Sequence, residues 1–139
     1  MAQTYTYFVV ILLAWGLWGF FGKYALKYIS PFSLILYETI GAIIIQLIVL
    51  VFLFYSRNKI DTNSIGITFA ALTAFFSIVG LIIFYFALSK TKSSILVPLT
   101  SIYPVITVLL SFIFLKEKVT LAQGIGIVLA IIAGFLLSI

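Results

Sequence analysis

Five apolar segments of membrane-crossing length follow one another with only a few polar residues between them, and that succession leaves one class of fold open. The segments run over about 7–28, 31–55, 64–88, 94–115 and 119–139. At ~1.5 Å rise per residue each covers roughly the thickness of a hydrocarbon core. Hydrocarbon supplies no hydrogen-bond partner, so segments of this length span as helices whose backbone groups pair internally. The chain has 139 residues, of which 65% are hydrophobic and 8% charged, and nothing is left over for a soluble domain. An all-α membrane protein with five transmembrane helices, forming a single domain over residues 1–139, is therefore expected.

Successive breaks between segments fall on alternating sides of the membrane. Lys23, Lys27, Lys90 and Lys92 lie on one side, called side A. Arg57, Lys59, Lys116 and Lys118 lie on the other, side B. Orientation is set mainly by the Lys/Arg excess in short loops, and here the two sides are level. A chain with so weak an orientation signal can insert both ways and pair antiparallel with itself, which rebuilds the inverted repeat of many transporters.

The net charge of +5 forms no continuous patch, so no nucleic-acid partner is expected; basic residues at segment ends serve instead as headgroup anchors in the lipid bilayer. A cleaved signal peptide is not expected either: residues 1–6 carry no basic side chain, and no small-x-small cleavage pattern follows the first segment. The chain has no Cys and no His. That excludes disulfides, thiolate metal sites and His-dependent hydrolysis, and the lone Asp61 cannot form an aspartyl dyad. No enzymatic activity, metal or cofactor is expected.

Candidate site residues follow from depth. Glu38 lies about 10 Å below the side A interface, seven residues past Pro31. An intramembrane acid there either binds a cationic or amine-bearing substrate or protons, or forms a structural ion pair with Lys23 at comparable depth in the neighbouring helix. Trp15 and Trp18 occupy one face of the first helix, away from the interface where Trp is usually found. Tyr37, Tyr85 and Tyr103 are similarly deep, and with Glu38 these aromatics suggest an amphipathic cavity for a small molecule. In the fourth segment Pro98 is placed in the first helical turn. Pro104 is interior; it should kink the helix and free the Thr100 carbonyl, with Thr100, Ser101 and Tyr103 around the kink. The fifth segment carries Ala122, Gly126, Ala130 and Gly134 at four-residue spacing, a row that permits close backbone packing. Gly16, Gly19 and Gly22 thin one side of the first helix. The Tyr residues at segment ends form an interfacial belt.

Phe84-Tyr-Phe-Ala-Leu-Ser-Lys-Thr-Lys-Ser-Ser94, Tyr103-Pro-Val-Ile, Leu115-Lys-Glu-Lys-Val-Thr120 and Ile132-Ala-Gly-Phe-Leu-Leu137 occur in that order, with Ala14-Trp-Gly16 and Ile29-Ser-Pro31 before them. In this the chain resembles the EamA-type domain of the drug/metabolite transporter superfamily over essentially its full length. Members usually look like two fused five-helix domains, mutually inverted around a substrate cavity, that export or exchange small metabolites, amino acids among them. The resemblance implies that this chain is one half of such an inverted repeat, working as an antiparallel, dual-topology homodimer in a prokaryotic plasma (inner) membrane. Many members have an Arg in the second helix where this chain reads Tyr37-Glu38, so an inherited substrate is in doubt. Glu117 matches the family's loop Glu and is expected to act structurally, as a helix-end cap or in an ion pair. The small multidrug resistance proteins, proton-coupled cation exporters, are similar too, but they have four helices and carry their Glu in the first. A non-transport membrane subunit is the alternative of a different class.

The level charge count makes a prediction. Paired cytoplasmic and periplasmic reporters fused to the C-terminus should both give comparable signal, and two Lys added to one side should confine it to one reporter. Signal from one side only in the native chain would remove the antiparallel homodimer.

Overall fold

The computed structural model describes residues 2–56 and 59–137, with side chains from Tyr5 onward. Arg57, and Ser138 and Ile139 at the end of the fifth expected segment, lie outside the described residues. Among the described residues six α-helices run α1 (Ala2–Ala25), α2 (Pro31–Tyr55), α3 (Ser64–Lys90), α4 (Ser93–Thr100), α5 (Tyr103–Leu110) and α6 (Leu121–Leu136), and a π-helical turn, Ser111–Leu115, continues α5. Residues 5–25, 31–55, 64–90 and 93–115 each form a stretch long and apolar enough to cross a membrane, and α6 is a shorter apolar helix. The chain is an all-α, multi-pass membrane protein.

Short polar residues set where the helices begin. Ser30 is extended (φ −70°, ψ 159°), and its side chain accepts a hydrogen bond from the Ser33 N–H, with Pro31 in the first helical position. The Asn63 side chain accepts from the Gly66 N–H at 3.1 Å ahead of α3. Thr120 and Gln123 form a reciprocal capping box: the Thr120 N–H donates to Gln123 Oε1 at 2.8 Å, and the Gln123 N–H donates to Thr120 Oγ1 at 3.3 Å. The helix limits differ from the sequence expectation by a few residues. The first helix ends at Ala25 because the chain turns there, with the Leu26 N–H on the Gly22 carbonyl and the Ile29 N–H on that of Ala25. Capping by Thr120 starts the last helix at Leu121.

The chain divides into two compact units, residues 1–89 and 90–139. In the first unit the buried positions are Gly19, Gly22, Leu34, Tyr85 and Leu88. All lie toward the side A ends of their helices. The Phe32 and Phe86 rings meet edge-on at 5.0 Å and join α2 to α3. Lys23, in the last turn of α1, donates from Nζ to the Leu88 carbonyl at 2.8 Å. That carbonyl belongs to the last turn of α3, where acceptors lack helical donors and a cation meets the negative end of the dipole.

The second unit departs from a simple kinked span. Lys92 precedes the first turn of α4, so Pro98 sits in the second turn and inside the helix, correcting its expected first-turn place. The segment then breaks at Ser101 and Ile102 into two eight-residue helices. The cause is the pairing pattern. Pro104 has no N–H, the Ile102 N–H turns back to the Leu99 carbonyl at 3.3 Å, and the Val105 N–H bonds the Ile102 carbonyl at 2.9 Å in a tightened turn. The π-helical turn ends on Lys116 in the left-handed region (φ 55°, ψ 31°), whose N–H donates to the Ser111 carbonyl. The Glu117 N–H reaches the same carbonyl at 3.4 Å. The helix end thus rests on the Lys116 backbone and the next helix on the Thr120 and Gln123 caps; Glu117 contributes its backbone N–H.

The small-residue row of α6 does two things. A Cβ at Gly134 would stand 2.6 Å from Ile102 Cδ1 and 3.5 Å from the Pro98 carbonyl oxygen, so α6 and α4 meet there with no room for a side chain. A Cβ at Gly126 would meet nothing within 4 Å. Gly126 and Ala130 instead line an open groove. Gly134→Leu should therefore lower the melting temperature of the purified protein, at a cost of about 1–3 kcal/mol as for overpacked interiors. Gly126→Leu should leave protomer stability close to wild type, and equal losses from both substitutions would contradict this difference.

Candidate functional site

Glu38 begins as a polar residue in an otherwise apolar stretch of α2, and what surrounds it comes from α1 and α3. The Trp18 indole Nε1–H donates to Glu38 Oε1 at 2.8 Å. Trp18 stacks on Phe84 with centroids 5.1 Å apart and planes inclined by 25°, and it lies 5.7 Å from the Tyr85 ring at a tilt of 44°. Phe84 and Tyr85 meet edge-on at 5.8 Å. The indole is thereby fixed by two rings of α3, which aims its single N–H at the carboxylate.

Tyr85 is 2% exposed and is one of the most deeply buried side chains described. Gly22 makes its seat: a Cβ at that position would lie 2.8 Å from Tyr85 Cε1. Glu38 Oε2 is shut off from solvent and has no hydrogen-bond partner among the described residues. One carboxylate oxygen is therefore held by protein and the other is left for something else. A buried oxygen without a donor is costly, and a cationic or hydrogen-donating ligand offsets that cost.

An ion pair between Glu38 and Lys23 was one expectation, and each of the two has a further partner. Trp18 takes Glu38, and Lys23 donates to the Leu88 carbonyl. Of the aromatics singled out by depth, Trp18 and Tyr85 join the cluster. Trp15 (61% exposed) and Tyr37 (63%) have no ring contact or hydrogen bond among the described residues. Thr100, Ser101 and Tyr103 belong to the second unit, at the break in the fourth segment, together with Pro98 and Pro104. Phe84 was not anticipated, although its place beside Tyr85 in the Phe84-Tyr-Phe86 run was visible. Gly22 stood in the glycine row of α1, but its role as the seat of Tyr85 depends on which face meets α3, which the row does not reveal. No group of three or more His, Cys, Asp or Glu residues that could hold a metal occurs among the described residues.

The sequence pattern of the EamA-like transporter family matches residues 3–139. An uncharacterized protein of Methanocaldococcus jannaschii is 40% identical over 131 residues, a stretch covering 94% of this chain and 93% of that protein. No solved structure matches the chain.

The indole–carboxylate bond can be measured by a double-mutant cycle. Trp18→Phe and Glu38→Leu should each change stability, and the pair should show a coupling of about 1 kcal/mol, the size of a hydrogen bond that is not deeply buried. Additive effects would mean that the two side chains do not interact in the membrane.

Proposed function

The chain belongs to the EamA-like transporter family, and from that membership we propose that it exports or exchanges small amine-bearing or amino-acid-like metabolites by alternating access. The observation that carries the substrate class is Glu38. It is an acid about 10 Å deep, aimed by the Trp18 N–H and flanked by Phe84 and Tyr85, with one oxygen unpartnered. An ammonium group satisfies that oxygen with a charge-assisted hydrogen bond, and the aromatic faces favour the alkyl or cationic remainder of such a ligand. The Arg common at this region of family members would reject the same ligand.

The working unit in this proposal is an antiparallel homodimer in the plasma membrane of a prokaryote. Three features support it. The Lys/Arg count is level across the membrane, the chain has the length of one five-helix half, and the Methanocaldococcus jannaschii relative has nearly the same span. Two oppositely inserted copies then provide the two inverted halves between which a cavity alternates. Transport by proton exchange at Glu38, as in the small multidrug resistance proteins, is the second reading, and the same unpartnered oxygen favours it.

Flux into liposomes separates these readings. Purified protein should carry a radiolabelled amine or amino-acid panel member down its gradient, and Glu38→Gln should fold and assemble like wild type while losing most of that flux, by tenfold or more. Flux abolished by collapsing the pH gradient would favour proton exchange. Undiminished transport by the Glu38→Gln variant, with the same pH dependence, would remove Glu38 from the mechanism.

A further inference from the structure

The groove beside the last helix carries a carboxylate and an ammonium at its mouth. It lies within the second unit, between α5 and α6, and its volume of about 390 Å³ is that of a small-ligand pocket. Val105, Val108 and Ile127 are its apolar walls. Gly126 leaves it open: a Cβ there would meet nothing within 4 Å, whereas at Gly134 the same helix closes on Ile102 and Pro98. The groove is thus a wedge that widens toward side B. It reaches Ala130, ten residues past the Thr120 cap, and so runs roughly 15 Å into the span. Glu117 and Lys118 line its side B end, where the chain leaves the π-helical turn through the left-handed Lys116. Both are exposed, and neither side chain has a hydrogen bond or an ion pair among the described residues.

Opposite charges side by side at the membrane interface, above an apolar groove, match an amphiphile whose head carries both signs. Phospholipid headgroups lie at this level of the bilayer. In a phospholipid with a primary amine, an ammonium group follows the phosphate by a short link, so Lys118 can donate to phosphate oxygens while Glu117 accepts from the ammonium, both in charge-assisted hydrogen bonds. An acyl chain then lies over Gly126 against the apolar walls. A second copy fits the charges less well. Inserted antiparallel, it would bring up its side A end, where the charged residues are Lys23, Lys27, Lys90 and Lys92. Those cations can meet Glu117 but repel Lys118.

We propose that the groove between α5 and α6 is a binding site for a phospholipid with a primary amine headgroup, its phosphate on Lys118, its ammonium on Glu117 and one acyl chain over Gly126. The site rests neither on Glu38 nor on the transport reading. It makes the side B end of the last hairpin a place where the protein distinguishes one membrane lipid from another.

The test melts the whole protein in detergent micelles while dioleoyl phosphatidylethanolamine, phosphatidylcholine or phosphatidylglycerol is titrated in. Phosphatidylethanolamine should raise the melting temperature saturably, by several degrees, and at a several-fold lower concentration than the other two, because a quaternary ammonium has no N–H to give Glu117 and a glycerol head has no ammonium at all. Glu117→Gln should remove that preference. Lys118→Gln should weaken the response to all three lipids, and Gly126→Leu, which fills the groove, should abolish it while melting like wild type without lipid. Equal responses to the three lipids in the native chain would overturn the proposal, as would an unchanged preference in Glu117→Gln. A full response to glycerophosphoethanolamine, which has the head and no chains, would place a soluble ligand there instead. Dissociation of a dimer by Gly126→Leu with the lipid preference intact would assign the groove to a second copy.

Discussion

Every structural decision in this chain traces to one constraint: a backbone polar group in hydrocarbon has no water to fall back on. Long apolar stretches are helical for that reason, and the places where helices start are those where a side chain stands in for the missing turn. Ser30, Asn63 and Thr120 do so at three of the breaks. The same constraint gives the fourth segment its character. Two prolines within seven residues remove two donors, and the segment divides into separate helices, because a tightened turn at Ile102 costs less than a continuous helix with two gaps in its ladder.

Packing in the first unit is built outward from α1. Gly22 gives up its side chain so that Tyr85 can fill the space, Trp18 lies across Phe84 and Tyr85, and Lys23 finishes the last turn of α3. Apolar contact alone cannot hold helices together in lipid, since tails offer contact on any face. A close backbone approach, stacked rings and a hydrogen-bonded ammonium are contacts that lipid does not supply. All of them lie toward the side A ends of the helices. The apolar residues toward the opposite ends are exposed on the protomer, Phe54 at 67% and Val51 at 68% among them, as expected of surface that meets lipid or another protein.

Much of this was legible in the residues. Segment count, the all-helical class and the family follow from hydropathy and motif order, and depth singles out Glu38, Trp18 and Tyr85 as polar groups. The partners of those groups do not follow from these. Whether Glu38 meets Lys23 or Trp18 depends on the rotation of α1 about its axis, and one residue of helix turns a side chain by about 100°. Trp15 and Trp18 share a face by spacing, yet Trp18 alone reaches the cluster, since a neighbour one turn away along the axis passes a different part of α3. The break at Ser101 was half visible. Pro104 announced a disturbance, but the full interruption also involves Pro98 lying inside α4, in its second turn, where it was expected in the first. The Thr120 and Gln123 capping box is present as a Thr-x-x-Gln pattern in the residues, but the expected segment start at 119 did not use it.

The neutral partner of Glu38 bears on what an intramembrane acid can do. In a direct ion pair each charge stabilises the other, and a ligand that takes the carboxylate strands an ammonium in a poorly solvated site, at a cost set against its binding. Here Lys23 donates to the Leu88 carbonyl, and Glu38 accepts from a neutral indole N–H. Neutralising Glu38 with a cationic substrate or a proton leaves Lys23 with its carbonyl acceptor and leaves the indole with its hydrogen bond. Trp18 aims the carboxylate without discharging it. Under the proposed transport function that property matters, because a binding group must gain and lose its ligand in every cycle while the helices that carry it stay packed.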